Sequence, residues 1–100
     1  MPIYAIWESR FPAPAATQGL EVTEAIWSDM REFDGYLSHE LLVDIDAPGH
    51  LLIVSQWASR QRADETLEKY ATHPNALTAN RLVAEPRRRF LAIGATRHTR

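Results

Sequence analysis

The chain contains no cysteine. A disulfide framework, a thiolate zinc site and a cysteine nucleophile are therefore excluded, which fits a reducing compartment. Long apolar runs are also missing: Leu51 to Val54, and the five residues Ile3 to Trp7, are far short of the ~20 residues of a membrane span. The N-terminus has no basic segment leading into a hydrophobic stretch, so a cytoplasmic location is expected. There is no glycine-rich phosphate loop, no Gly-x-Ser-x-Gly turn and no carboxylate pair at catalytic spacing. Nucleotide-binding and serine-hydrolase chemistry are removed on those grounds. None of the four histidines has an i, i+2 or i, i+4 partner, so no metal site is expected.

What is present describes one globular domain. One hundred residues that are 45% hydrophobic and 24% charged suffice for a single core. Eleven basic against thirteen acidic residues leave a net charge of −2, which argues against a nucleic-acid or anionic-membrane partner. Basic charge is concentrated near the end, where Arg81, Arg87, Arg88, Arg89, Arg97 and Arg100 face Glu85 alone. Consecutive arginines entering a strand point to alternate faces, however, and form no single binding stripe.

The apolar pattern changes period along the chain. Ile3 to Glu8 is apolar at both parities, as in a strand covered on both faces. Pro12 and Pro14 make Arg10 to Ala16 a loop. From Thr17 to Phe33, Leu20, Thr23, Ile26, Trp27, Met30 and Phe33 recur at helical spacing, and Asp34-Gly35 supplies the stop. Tyr36–Ile45 and Leu51–Trp57 read as a strand pair joined by the five residues Asp46 to His50. Ser59 can cap a second helix whose buried stripe is Ala63, Leu67, Tyr70 and Ala71, ending at His73-Pro74. A short helix over Asn75–Val83, blocked by Pro86, and a last strand over Arg88–Ala95 complete the order βαββαβ.

That order predicts an α+β ferredoxin-like domain over residues 2–95 with a tail at 96–100. Its four-stranded antiparallel sheet would carry its helices on one face. The other face would then expose on the order of 400 Å² of sheet. One parity there is Tyr4, Ile6, Leu42, Leu52 and Val54, too apolar for water. A second copy is the expected cover, giving a homodimer packed sheet to sheet.

Three stretches carry a family resemblance: Ile3-Tyr4-Ala5-Ile6-Trp7, Asp34-Gly35-Tyr36-Leu37, and Leu51-Leu52-Ile53-Val54-Ser55-Gln56-Trp57-Ala58-Ser59. Together they resemble the antibiotic biosynthesis monooxygenase (ABM) family over nearly all of residues 2–95. The Gln-Trp-x-Ser step is the most specific piece. The resemblance implies a dimeric α+β barrel, in agreement with the exposed-face argument. The family includes cofactor-independent monooxygenases of polyphenolic or quinol-type substrates, haem-degrading enzymes and members of unknown activity. Its polyketide-tailoring members place an Asn four residues before the strand-three Trp and a Tyr six after it. Those positions are Ile53 and Ala63 here, and only Trp57 is retained. The haem-degrading members use an Asn in strand one and a Trp and a His in or near the second helix. Strand one offers Glu8 and Ser9 instead, and His73 is displaced from the position of that His, so haem degradation is not expected. RNA-recognition domains share this fold, but their third strand carries aromatics where Leu51 to Val54 is aliphatic.

Oxygenation without a cofactor needs an electron-rich substrate that loses a proton, a base to take it and a dry pocket. Trp57 shares a strand face with Leu51, Ile53 and Ser55. If that face looks toward the helices, Trp57 meets Trp27 and Met30 across a pocket. Two tryptophans suit a flat aromatic ring, each stacking contact contributing about 1 kcal/mol, although the same residues also read as plain core. Trp7 reads as core. His39, on the parity of Leu37 and Leu41, reads either as a pocket base or as a hydrogen-bonded core group. His73 reads as a cap on the second helix, favoured there by the helix dipole, and with Asn80 and Arg81 it stands where a pocket mouth would lie. His50 and His98 read as solvent positions.

The expectation is a homodimeric, cofactor-free monooxygenase acting on an aromatic quinol or polyphenol with O₂. Trp57 would orient the substrate and His39 would act as base, in a pocket of Trp27, Met30, Ile53, Ser55, His73 and Asn80. No cofactor, metal, nucleic acid or membrane partner is expected. The alternative is a non-catalytic homodimer that binds a small ligand in the same pocket, which the missing Asn and Tyr favour. In a third reading the pocket is filled by its own side chains and the protein is an interaction partner.

Overall fold

A computed structural model describes residues 2–100. The elements are β1 (Ile3–Arg10), α1 (Ala16–Met30), β2 (Tyr36–Asp44), β3 (Ala47–Trp57), α2 (Arg60–Tyr70), α3 (Pro74–Leu82) and β4 (Arg88–Ala92), with a single 3₁₀ turn at Ala13–Ala15 leading into α1. The strands form one sheet in the order β2-β3-β1-β4, antiparallel throughout. This is the ferredoxin-like α+β arrangement that the alternating periods call for. No helix among the described residues is long and apolar enough to cross a membrane.

Register decides which side chains meet the helices. Trp7 pairs with Ile53 and Ala5 with Ser55 across β1 and β3, while Leu41 and His39 of β2 pair with Ile53 and Ser55. Because side chains alternate along a strand, all of these share one face. That face packs against Val22, Ile26, Trp27 and Met30 of α1, Ala63 and Tyr70 of α2, and Ala76 and Ala79 of α3. Each large apolar side chain buried there contributes roughly 1.5–3 kcal/mol. Ser59 caps α2 as expected, its side chain accepting from the Arg62 N–H. Gly35 closes the turn from α1 to β2 at φ 89°, a conformation that favours glycine.

Several boundaries differ from the sequence reading, each for a local reason. The β2–β3 connection is Ile45-Asp46 rather than five residues, because the Asp44 carboxylate accepts the Asp46 N–H at 2.9 Å and turns the chain early. Pro48 and Gly49 therefore lie in β3. There the Gly49 carbonyl accepts the Phe11 N–H at 2.8 Å, and a Cβ on Gly49 would collide with the Phe11 carbonyl oxygen. The first helix ends at Met30 rather than Phe33, followed by turns whose N–H groups bond back to Asp29 and Met30. The last strand stops at Ala92 rather than Ala95. Ala92 already pairs with Tyr4, and β1 runs out two residues before that at Pro2, which has no N–H. An irregularity between Tyr36 and Ser38 turns Leu37 outward, 49% exposed, while His39 stays on the helix side.

The other sheet face carries Tyr4, Ile6, Leu42, Leu52 and Val54, as the parity requires, together with Phe90, which pairs beside Ile6. It is not wholly apolar. His50, expected to be a free solvent position, has Nδ1 2.9 Å from Asp44 Oδ2 and Nε2 2.7 Å from Glu8 Oε2. Arg10 and Arg88 also contact Glu8. The hydrogen bonds from Asp44 and then Glu8 push the His50 imidazole up from its ordinary value. The bond from His50 likewise lowers both carboxyl groups. A doubly protonated ring between two carboxylates satisfies both nitrogens as donors.

Candidate active site

A cavity of about 50 Å³ lies between the inner sheet face and the helices. At that volume it has room for no more than a few water molecules and is well below the ~300 Å³ at which drug-sized ligand sites begin, so a ring must displace side chains to enter. The flexible Met30 and Leu67 in its wall are the adaptable pieces. Trp57 is fixed on one side. Its indole Nε1 donates to Ser55 Oγ at 3.0 Å, and Ser55 Oγ donates in turn to the Ala5 carbonyl at 2.7 Å. The edge of Tyr36 meets the Trp57 ring at a centroid distance of 5.8 Å.

The polar groups of the wall are largely committed elsewhere. Thr23 Oγ1 donates to the Gly19 carbonyl and Thr66 Oγ1 to the Arg62 carbonyl, each closing an i to i−4 bond within its own helix. The Tyr70 hydroxyl donates to Asp29 Oδ2 at 2.6 Å. Burial first, and that carboxylate second, push the Tyr70 phenol up to about 12. It is a donor near neutral pH and not a base. Among the described residues no carboxylate or imidazole lines the cavity. Its charged groups are two guanidiniums, Arg87 and Arg89, at the end where β4 begins.

Of the residues singled out from sequence, Trp27, Met30, Ile53 and Trp57 converge on this cavity. Ser55, fully buried, stands behind Trp57 as its hydrogen-bond partner. Asn80 lies on an outer groove beside the cavity, where its Oδ1 accepts Arg87 Nε at 3.0 Å. His73 does not line the cavity. It is the N-cap of α3 and not a C-terminal group on α2: Nδ1 accepts the Asn75 N–H at 3.0 Å, and its ring stacks on Tyr70 at 4.4 Å. His39 shares the sheet face of Trp57 but lies in a different, open groove with Leu41, Val43 and Arg31. Trp27 separates it from the cavity, ring to ring at 5.4 Å. Its Nδ1 is 2.7 Å from the Tyr36 hydroxyl. Burial, helped by Arg31, lowers its pKa below the ordinary 6.5, so the ring is neutral at pH 7.

Trp7 and Tyr70, read from sequence as core, and Arg87 and Arg89, not assigned to the site, also line the cavity. Tyr70 was visible as part of the α2 stripe, two turns beyond Ala63 on the same helix face. The two arginines follow from the alternation rule that argued against a nucleic-acid stripe. Arg88 turns to the open face and meets Glu8, while its neighbours on either side turn inward over Trp7.

Comparison with known proteins settles the family. The sequence profile of the antibiotic biosynthesis monooxygenase family matches residues 2–79. The chain belongs to that family. Among solved structures, a crystal structure of an antibiotic biosynthesis monooxygenase superposes with TM-score 0.83 at 17% identity, covering 94% of this chain and 99% of that one. A variant of SnoaB, a cofactor-independent oxygenase from Streptomyces nogalater, gives TM-score 0.83 at 14% identity, covering 96% and 95%. A Mycobacterium tuberculosis protein gives 0.73 at 22% identity over 99% and 100%. These likenesses establish the shared fold. No curated protein sequence matches the chain. In this ABM domain the two positions that resemble the polyketide-tailoring pair, Ile53 and Ala63, both face the cavity and both are apolar, so any reacting oxygen there meets no hydroxyl or amide from them.

Proposed function

We propose that the chain is a cofactor-independent monooxygenase of a flat aromatic quinol or related polyphenol, acting as a homodimer whose open sheet faces cover each other. The observation that carries this reading is the hydrogen-bonded pinning of Trp57 in the wall of a small inner cavity that Trp27 also lines, within an ABM fold. A ring held against these indoles is oriented without being charged or protonated by them. The substrate supplies the electrons. An activated ring methylene that loses a proton gives a carbanion that reduces O₂, and the two combine as a hydroperoxide. Loss of water then leaves a carbonyl, so one oxygen atom enters the product and the other leaves as water. Arg87 and Arg89, which line the cavity, would stabilise a developing oxyanion. Among the described residues no carboxylate or imidazole lines the cavity, so the proton passes to solvent water or buffer before the ring enters. His39 acts on the site through Trp27, as a positioning residue.

Oxygen uptake by purified protein with anthrones, naphthoquinols and catechols tests the activity, and absence of uptake above background overturns it. The His39 assignment is tested in the same assay. A positioning role predicts that His39→Ala lowers kcat without moving the pH profile, whereas a base predicts a shifted profile.

A second reading has one observation of its own. The apolar Ile53 and Ala63 in the wall favour a ligand-binding homodimer without turnover. Under that reading Trp57→Phe lowers ligand affinity while wild-type protein shows no oxygen uptake.

A further inference from the structure

Among the described residues, Arg87 is the one guanidinium of the cavity without a counter-charge. Arg89, only 17% exposed at its side chain, pairs with Asp64 at 3.1 Å. Arg60 also contacts Asp64, at 3.6 Å, so that carboxylate already serves two cations. Arg87 Nε bonds the neutral Asn80 Oδ1, and among the described residues no carboxylate forms an ion pair with it. Its Cζ lies 4.9 Å from the centroid of Trp7. The other charge nearby is Glu85 in the outer groove, which is held by Arg10 at 3.3 Å.

Position matters as much as charge. Arg87 and Trp7 line both the inner cavity and the open groove of about 480 Å³ outside it. They form the wall between the two. Nε is occupied by Asn80, which orients the guanidinium plane and leaves its terminal nitrogens available for a planar oxyanion.

We propose that Arg87 selects for aromatic ligands bearing an oxyanion, a carboxylate or an ionised phenol, which it binds at the cavity mouth while the ring occupies the tryptophan-walled space. This rests on the reading that the cavity takes a flat aromatic ligand. An unpaired cation at a partly buried site is costly, and burial does hold the Arg87 guanidinium below its ordinary value. A ligand anion removes that cost, and a neutral isostere of the same shape does not.

The test is equilibrium binding of 2-naphthoate, its neutral isostere 2-naphthamide, and 2-naphthol below and above its own pKa. Calorimetry reads affinity, and the indole N–H resonances of the three tryptophans locate the site. Wild-type protein should bind 2-naphthoate about tenfold or more tighter than 2-naphthamide, as a charge-assisted bond requires. That preference should shrink as salt is added. Arg87→Gln should erase the preference by weakening 2-naphthoate far more than 2-naphthamide, Arg87→Lys should restore part of it, and Arg97→Gln in the tail should do nothing. Tighter binding of 2-naphthol only above its pKa identifies phenolate as a ligand, and 2-naphthoate preference without it restricts the class to carboxylates. Equal binding of acid and amide to wild type, or a preference that survives Arg87→Gln, overturns the Arg87 assignment alone. Failure of all three compounds to shift any indole resonance overturns the aromatic-ligand reading as well.

Discussion

The hydrogen-bonded pair behind the cavity gives the sharpest quantitative prediction. In Ser55→Ala the Trp57 indole N–H loses its acceptor in a fully buried setting, and the Ala5 carbonyl loses one of its bonds. An unsatisfied buried donor costs about 1–3 kcal/mol and a lost neutral hydrogen bond about 1 kcal/mol, so the variant should lose about 2–4 kcal/mol. For a domain of this length that corresponds to a Tm lowered by roughly 8–30 °C. Trp57→Phe removes the donor itself and lets Ser55 keep its bond to Ala5. Its cost, about 2 kcal/mol, is mainly apolar area and a new void. Because the two changes break the same bond, the double variant should cost less than the sum by about 1 kcal/mol. Urea unfolding at one fixed protein concentration, with unchanged slopes, measures all three. Additive effects, or a Ser55→Ala variant within about 0.5 kcal/mol of wild type, would show that Trp57 is not held by Ser55 and that its orientation is incidental packing.

The remaining predictions concern the open face and one turn. His50, raised above 6.5, stabilises fully below that value and loses its effect as pH rises through the folded pKa. Glu8 and Asp44, lowered from 4.5 and 3.8, lose theirs as pH falls through their folded values. Wild type minus His50→Gln stability should therefore be greatest between about pH 4.5 and 6.5 and decline on both sides; a difference flat from pH 4 to 9 refutes the cluster. Light scattering should give twice the 11.4 kDa chain mass for wild type and the single mass for Leu52→Glu, and a wild-type monomer at micromolar concentration removes the sheet-to-sheet dimer. Gly35→Ala should cost at least ~1 kcal/mol, because φ is 89° and the new methyl meets Arg62; an unchanged urea midpoint contradicts that.

How far the sequence reached depended on whether a feature is periodic. The helix and strand order, the open-face residues and the convergence of Trp27, Met30, Ile53 and Trp57 all follow from repeats of 3.6 and 2. Those repeats fix which side each residue presents before any partner is known. What depends on a single contact did not show. The Asp44 bond that shortens the hairpin and the step at Leu37 that reverses one side chain interrupt the period without a sequence marker. The pairing of His50 with Glu8 joins residues 42 apart. The separation of His39 from the cavity depends on where one indole, Trp27, lies. Arg87 and Arg89 were half legible. Alternation put them on one side, but β1 is apolar at both parities, so the face of Trp7, and hence the target of the arginines, was open.

The proposed activity is oxygenation of an aromatic molecule in the Trp57 cavity with electrons from the substrate itself. Mass spectrometry of the product formed under oxygen-18 gas, using purified protein and an anthrone, tests it most directly. The account predicts one labelled oxygen atom in the product carbonyl and one in water, at a rate proportional to protein and reduced in Trp57→Phe. Product carrying no label, or label appearing at the same rate without protein, would contradict it.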